Sequence, residues 1–218
     1  MRRHLPILPL LALAACADPR PARDPGAARG DTLARPGATT ITRAHEMPAG
    51  TEVTVAGVVN VASGVVDAGF AMQEGPRAIY VAADSATRLS PGQVVRVTGR
   101  LEDRHGLMVI RPGTVNVEGR TEVYPPYRIR TKRVGETTEG MLLGLEARVT
   151  APVVDDRPYG WKITVDDGTG PLQVFVPAHQ PFDPASVRPG QRLSVTGMSA
   201  QYDSTYEVIT TEPLKAVP

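Results

Sequence analysis

The residues able to do chemistry are few and scattered. Histidine occurs at His4, His45, His105 and His179, and none has a second ligand-type residue at a spacing that would hold zinc. Cysteine occurs once, at Cys16, so no thiolate pair is present to bind a metal and no disulfide can close within the chain. A glycine-rich phosphate loop carrying a lysine is absent, as is a G-x-S-x-G elbow, which removes the main parts of nucleotide hydrolysis and serine esterase chemistry. Two acidic pairs, Asp155 with Asp156 and Asp166 with Asp167, have the composition of a cation site or of a general acid and base. Both pairs lie in or beside hairpin turns, where aspartate supports the backbone through local hydrogen bonds, and that is the role expected of them. No catalytic residue, metal or cofactor is expected, and the chain reads as a binding protein rather than an enzyme.

Cys16 ends the stretch MRRHLPILPLLALAAC: two arginines, an apolar run from Leu5 to Ala15 broken by prolines, and small residues before the thiol. Residues 1–15 have the layout of a secretory signal, and the run is shorter than the roughly 20 apolar residues of a permanent membrane helix. LAAC resembles the lipobox of bacterial lipoproteins, whose cysteine becomes the lipid-modified first residue of the mature chain. That resemblance implies a membrane partner through a lipid on Cys16. With Ala17 next, it implies the outer membrane of a bacterial envelope, facing the periplasm. The alternative is an ordinary signal with a cysteine beside its cleavage site. From Ala17 to Ala38 the chain is mostly Pro, Ala, Arg and Gly, too poor in apolar side chains to offset the entropy of ordering, so residues 16–38 read as a flexible tether.

The elements that must position any site begin at Thr39, where short runs of Val, Thr and Ile alternate with Gly and Pro, the signature of an all-β fold. The segment PGQVVRVTG at 91–99 returns as PGQRLSVTG at 189–197, and the runs around both copies follow one order. In the first block, EVTVAGVVNV (52–61) predicts a long strand with a bulge or bend at Gly57, followed by strands at 69–73 and 78–83. SATRLSPGQ (85–93) predicts a helical turn and a tight turn, then a hairpin of VVRVTGRL and GLMVI. The second block repeats five strands at 144–154, 160–165, 171–176, 192–198 and 206–210. Alternation places Val95 and Val97, or Leu193 and Val195, inside, and the glycine after each VT lets the strand curl for closure.

This succession, a long bent strand, a meander, a short connection and a closing hairpin, resembles the OB-fold, a five-stranded Greek-key barrel. The expected architecture is two tandem OB-fold barrels, at 39–119 and 139–218, joined by a basic linker at 120–138. MPAGTEVTVAGVV, DDGTGPLQVFV and PGQRLSVTGMSAQYDSTYEVI look like the OB-type nucleic-acid-binding modules of secreted bacterial nucleases and cell-surface proteins, although no catalytic domain accompanies them here.

In such barrels ligands lie across strands two and three and between the one-two and four-five loops. Alternation turns Tyr80 and Phe175 outward at equivalent positions on strand three, where a base or sugar ring would stack. Flanking them stand Arg96, Arg100, Arg104 and His105 in the first block, and Arg148, Lys162, Tyr202 and Tyr206 in the second. The two rings could equally cover the join between barrels or a contact with another subunit. In the linker, YPPYRIRTKR carries Arg128, Arg130, Lys132 and Arg133 among tyrosines and prolines. Those cations suit a phosphate backbone, solvent along an extended linker, or anionic headgroups.

Charge restrains the nucleic-acid reading. Residues 39–119 hold seven basic and eight acidic side chains, and 120–218 hold eleven and twelve, so each barrel is near −1 and any basic patch is local. The partners expected are a membrane through Cys16, a single-stranded nucleic acid, or another envelope protein or a glycan.

Overall fold

The computed structural model describes residues 37–218, and the expectations placed on the signal segment, on Cys16 and on the tether up to residue 36 lie outside them. The first unit holds β1 (Glu52–Val61), β2 (Phe70–Glu74), β3 (Arg77–Val81), β4 (Gln93–Arg104) and β5 (Leu107–Arg120). They close into a barrel in the order β1-β2-β3-β5-β4. The second unit follows through β6 (Tyr127–Arg128), β7 (Leu142–Val149), β8 (Val154–Asp156), β9 (Gly160–Asp166), β10 (Pro171–Pro177), β11 (Arg192–Tyr202), β12 (Thr205–Thr210) and β13 (Lys215–Val217). Here β7, β9, β10, β12 and β11 pair in succession and β11 pairs back onto β7, with β6, β8 and β13 added at the margins. The fold is all-β, two tandem five-stranded OB barrels.

The long first strand makes closure possible by serving two partners. In β1, Glu52–Val58 pair with β4, and Val58, Val59 and Val61 pair with β2. The irregularity sits between Val59 and Val61 rather than at the expected Gly57. Gly57 is needed for a different reason: a Cβ there would come within 2.9 Å of the Gln73 carbonyl oxygen. Parallel pairing of Tyr80 and Val81 with Val109 and Ile110 closes the first barrel, and Gln173–Phe175 with Glu207–Ile209 do so in the second.

Alternation fills both cores as expected. Val53, Val55, Phe70, Met72, Ile79, Val95 and Val97 line the first, and Leu145, Ile163, Val165, Val174, Leu193 and Val195 the second. Trp161, expected among the core residues, packs at its margin against Phe182, ring centroids 5.3 Å apart.

Over 85–93 no helix forms: a single turn at 84–87 is closed by the Thr87 N–H on the Asp84 carbonyl oxygen at 3.2 Å, and the expected tight turn follows at Pro91 and Gly92, the Gln93 N–H reaching the Ser90 carbonyl oxygen at 3.3 Å. The Asp84 carboxylate caps the first turn by accepting from the N–H groups of Ala86 and Thr87, but the Leu89 N–H goes to the Ser63 hydroxyl, so no helix continues from it. The helix of the first unit precedes its barrel: α1 (Ile41–His45), capped by Thr40 and held by the Ile41 N–H on Glu74, drives Ile41 and Ala44 into the core.

The repeated VTG has a shared cause. A Cβ at Gly99 would overlap the Arg111 carbonyl oxygen, and one at Gly197 the Ile209 carbonyl oxygen, so strand five can lie close only over a glycine. Gly197→Ala should therefore lower stability by about 1–3 kcal/mol through overpacking. A urea midpoint unchanged from the wild type would show that closure does not need the glycine.

Candidate ligand-binding face

The two barrels offer equivalent outer faces on strands two and three, and packing treats them differently. On β2 and β3 the outward side chains Ala71, Gln73, Ala78 and Tyr80 are all buried. On β9 and β10 their counterparts Lys162, Thr164, Gln173 and Phe175 are partly exposed.

Tyr80 does point away from its barrel core, as alternation requires, yet it is only 4% exposed. Val61, Ala71, Tyr80, Leu107 and Val109 of the first barrel meet Met198 and Ala200 of the second in a separate apolar cluster, with Leu142 and Ile209 against it. The open ring expected at Tyr80 is thus sealed in the join between barrels. Its hydroxyl donates to Asp67, and burial, aided by that carboxylate, pushes the phenol above its usual range.

Phe175 keeps the position Tyr80 lost. It sits opposite Lys162 in the ladder, over Gly160, where a Cβ would come within 2.9 Å of its ring. Tyr80 covers Gly69 in the same way, its Cζ 2.7 Å from such a Cβ, a second mark of the duplication. Lys162 Nζ lies 2.9 Å from Asp156 on β8. Beyond them Gln173 Nε2 donates to Glu207 Oε2 at 2.6 Å. Glu207 is buried, and burial raises its carboxyl above the usual range against the smaller effect of Gln173.

The remaining cations are already engaged. Arg96 pairs with Glu118 at 2.6 Å, Arg104 with Glu102 at 3.4 Å, and Arg100 and Arg148 donate to the carbonyl oxygens of Gly50 and Gly190. The two four-five loops touch each other: His105 stacks on Tyr202 with centroids 4.6 Å apart, and its Nδ1 lies 3.1 Å from Asp203. Tyr206 is half-buried, its hydroxyl donating to Glu136 at 3.4 Å.

The linker lies along the second barrel, with Arg128 3.8 Å from Glu146, Arg130 3.7 Å from Asp167, and Lys132 and Arg133 exposed in a 3-10 turn. Asp155 and Asp166 make the local bonds of turns, whereas Asp156 pairs with Lys162 and Asp167 also accepts from the N–H and hydroxyl of Thr131 in the linker. Asp155 accepts from Arg157, which holds its carboxyl at about 2, and Asp166 accepts from the N–H groups of Gly168 and Gly170. Of the predicted ligand residues, Lys162 and Phe175 share one face, and Thr164, Gln173 and Glu207 join it; strand parity carried the signal for these three.

Sequence spacing carried no signal for another convergence. A ring nitrogen of His45 and one carboxylate oxygen each of Glu136 and Glu139 lie within 4.8 Å of one another. Burial, reinforced by Glu136, pushes the Glu139 carboxyl up to about 7, against weaker opposing effects of the Met108 backbone N–H and Arg77.

No family model matches this chain, and no curated protein does. Solved structures resemble it. The Stn1–Ten1 complex of S. pombe shares 22% identity, with 35% of this chain and 57% of that one covered and a TM-score of 0.31. A replication protein A heterotrimer bound to ssDNA shares 18%, with 35% and 57% covered and a TM-score of 0.30. This chain therefore spans little more than half the length of either. A murine DNA-binding protein bound with double-stranded DNA shares 10%, with 75% and 98% covered and a TM-score of 0.42.

The raised Glu207 carboxyl makes a signed prediction. The folded protein keeps a proton there that the unfolded chain releases, so the contribution is full below the ordinary glutamate value and is lost as pH rises through the folded one. Glu207→Gln, neutral throughout, should gain in stability relative to wild type as pH rises from the ordinary glutamate value through the raised folded one. Urea denaturation across that range checks it, and a constant difference would mean that Glu207 titrates normally.

Proposed function

We propose that this protein is a non-catalytic binding module, held in a bacterial envelope by a lipid on Cys16, whose ligand lies across the outer face of β9 and β10. One observation carries this: Phe175 remains partly exposed beside Lys162 on the strand-two and strand-three face that barrel packing leaves open. An aromatic ring next to a cation, flanked by the polar Thr164 and Gln173, suits a stacked base with a phosphate alongside, and single-stranded nucleic acid is the ligand proposed first. Fluorescence anisotropy with a single-stranded oligonucleotide at about 50 mM salt should detect binding, because phosphate contacts are strongest there. Phe175→Ala should weaken it by about 5- to 150-fold, the value of one stacked base. Absence of binding by the wild-type chain at that salt ends the nucleic-acid proposal.

A protein or glycan as ligand is favoured by a different observation. Arg96, Arg104, Arg128, Arg130 and Lys162 all stand within ion-pair distance of acids, so these cations are less available to phosphate. Exposed Val154 and Tyr159, before and within the turn leading into β9, would add apolar area to such a contact.

The envelope location rests on LAAC at 13–16. Cys16→Ser should abolish incorporation of labelled fatty acid and shift the protein from the membrane fraction to the soluble one. Labelling that persists in this variant would overturn the anchor.

A further inference from the structure

Glu139 is a carboxylate buried at the barrel junction. It is 2% exposed, and neither carboxylate oxygen has a partner at hydrogen-bond geometry, the Met108 N–H acting on it only weakly from longer range. An ionised carboxylate left so would cost several kcal/mol, so the site calls for a proton or a cation. His45 reaches the same place from the end of α1. Its Nε2 lies 2.8 Å from the Ala78 carbonyl oxygen, so Nε2 carries the hydrogen and Nδ1 keeps its lone pair. That Nδ1 is buried and has no partner. Glu136 completes the group from the 3-10 turn Glu136–Thr138, with an exposed side chain. Arg77, the neighbouring cation, directs its guanidinium to the Glu136 carbonyl oxygen at 3.4 Å.

We propose that His45, Glu136 and Glu139 form a binding site for a divalent first-row cation of the Zn2+ type. One imidazole nitrogen and two carboxylate oxygens are a ligand set for such an ion, with water in the open position. Mg2+ and Ca2+ prefer six or more oxygen ligands and fit the imidazole poorly. The bond from the other ring nitrogen to Ala78 is the outer-shell contact that fixes tautomer and orientation in metal-bound histidine. Ligand atoms around a tetrahedral zinc sit about 3.3 Å apart, so a set already within 4.8 Å closes through small rotations, and exposed Glu136, held only by the long bond from Tyr206, can make them. The ion would tie α1, ahead of the first barrel, to the segment that leads into β7 of the second, and so strengthen the junction by linkage.

The test uses the full-length chain carrying Cys16→Ser, which removes its only thiol as a competing ligand. After dialysis against chelator, ZnCl2 is titrated by calorimetry and the complex weighed by native mass spectrometry. One equivalent should bind and raise the melting temperature, with Mg2+ and Ca2+ much weaker. Glu139→Gln and Glu136→Gln should each weaken zinc by at least about tenfold, whereas His179→Ala should not. Glu136→Gln alters an exposed side chain, so it decides the matter even if Glu139→Gln fails to fold. No zinc binding by the parent chain, preference for Mg2+ or Ca2+, or undiminished binding in Glu136→Gln overturns the site.

Discussion

The placement of everything else depends on a seam of apolar side chains that belongs to neither barrel core. Tyr80, Leu107 and Val109 on the outside of the first barrel are sealed against Met198 and Ala200 on the outside of the second. Burying one such larger side chain contributes about 1.5–3 kcal/mol, whereas an exposed pair such as His105 with Asp203 contributes about 0–1 kcal/mol. The seam therefore holds the units together and the loop contacts trim its edge. Polar bonds register it: Asn60 donates to the Gly140 carbonyl oxygen at 3.3 Å, and Gln180 donates to that of Val65 at 3.2 Å. Gly140 is irreplaceable there for want of room, since at φ +73 a Cβ would stand 2.8 Å from the Ile79 nitrogen.

A duplicated fold is made unequal by that contact. Both barrels place an aromatic ring over a glycine on the same outer face, but one face is spent on joining the halves. What remains is a single face centred on Phe175, bordered by Lys162, Thr164 and the Gln173–Glu207 pair. The two copies thus differ in exposure, one face buried in assembly and the other left partly open to solvent.

The junction also gathers polar groups that a purely apolar contact would not tolerate. A buried, unpartnered glutamate beside a histidine held by a backbone carbonyl is a local conflict between packing and solvation. In natural proteins such conflicts concentrate where a site has a use for them.

Taken alone, the sequence determined the repeating elements, because period-two alternation and turn glycines act within a few residues and leave their pattern in the string. From it follow the two closed barrels, the inward Val95, Val97, Leu193 and Val195, and the outward sense of Tyr80 and Phe175. Local strength was harder to see, as after Asp84, where a capped turn goes no further because the Leu89 N–H is taken by the Ser63 hydroxyl. Tertiary structure alone decided which outward residues meet water. Whether Tyr80 is open depends on Met198 and Ala200, more than a hundred positions away, and whether His45 has acidic company depends on Glu136 and Glu139 in another unit. Pairings over such separations arise from how two finished surfaces fit, and no spacing in the chain encodes that fit.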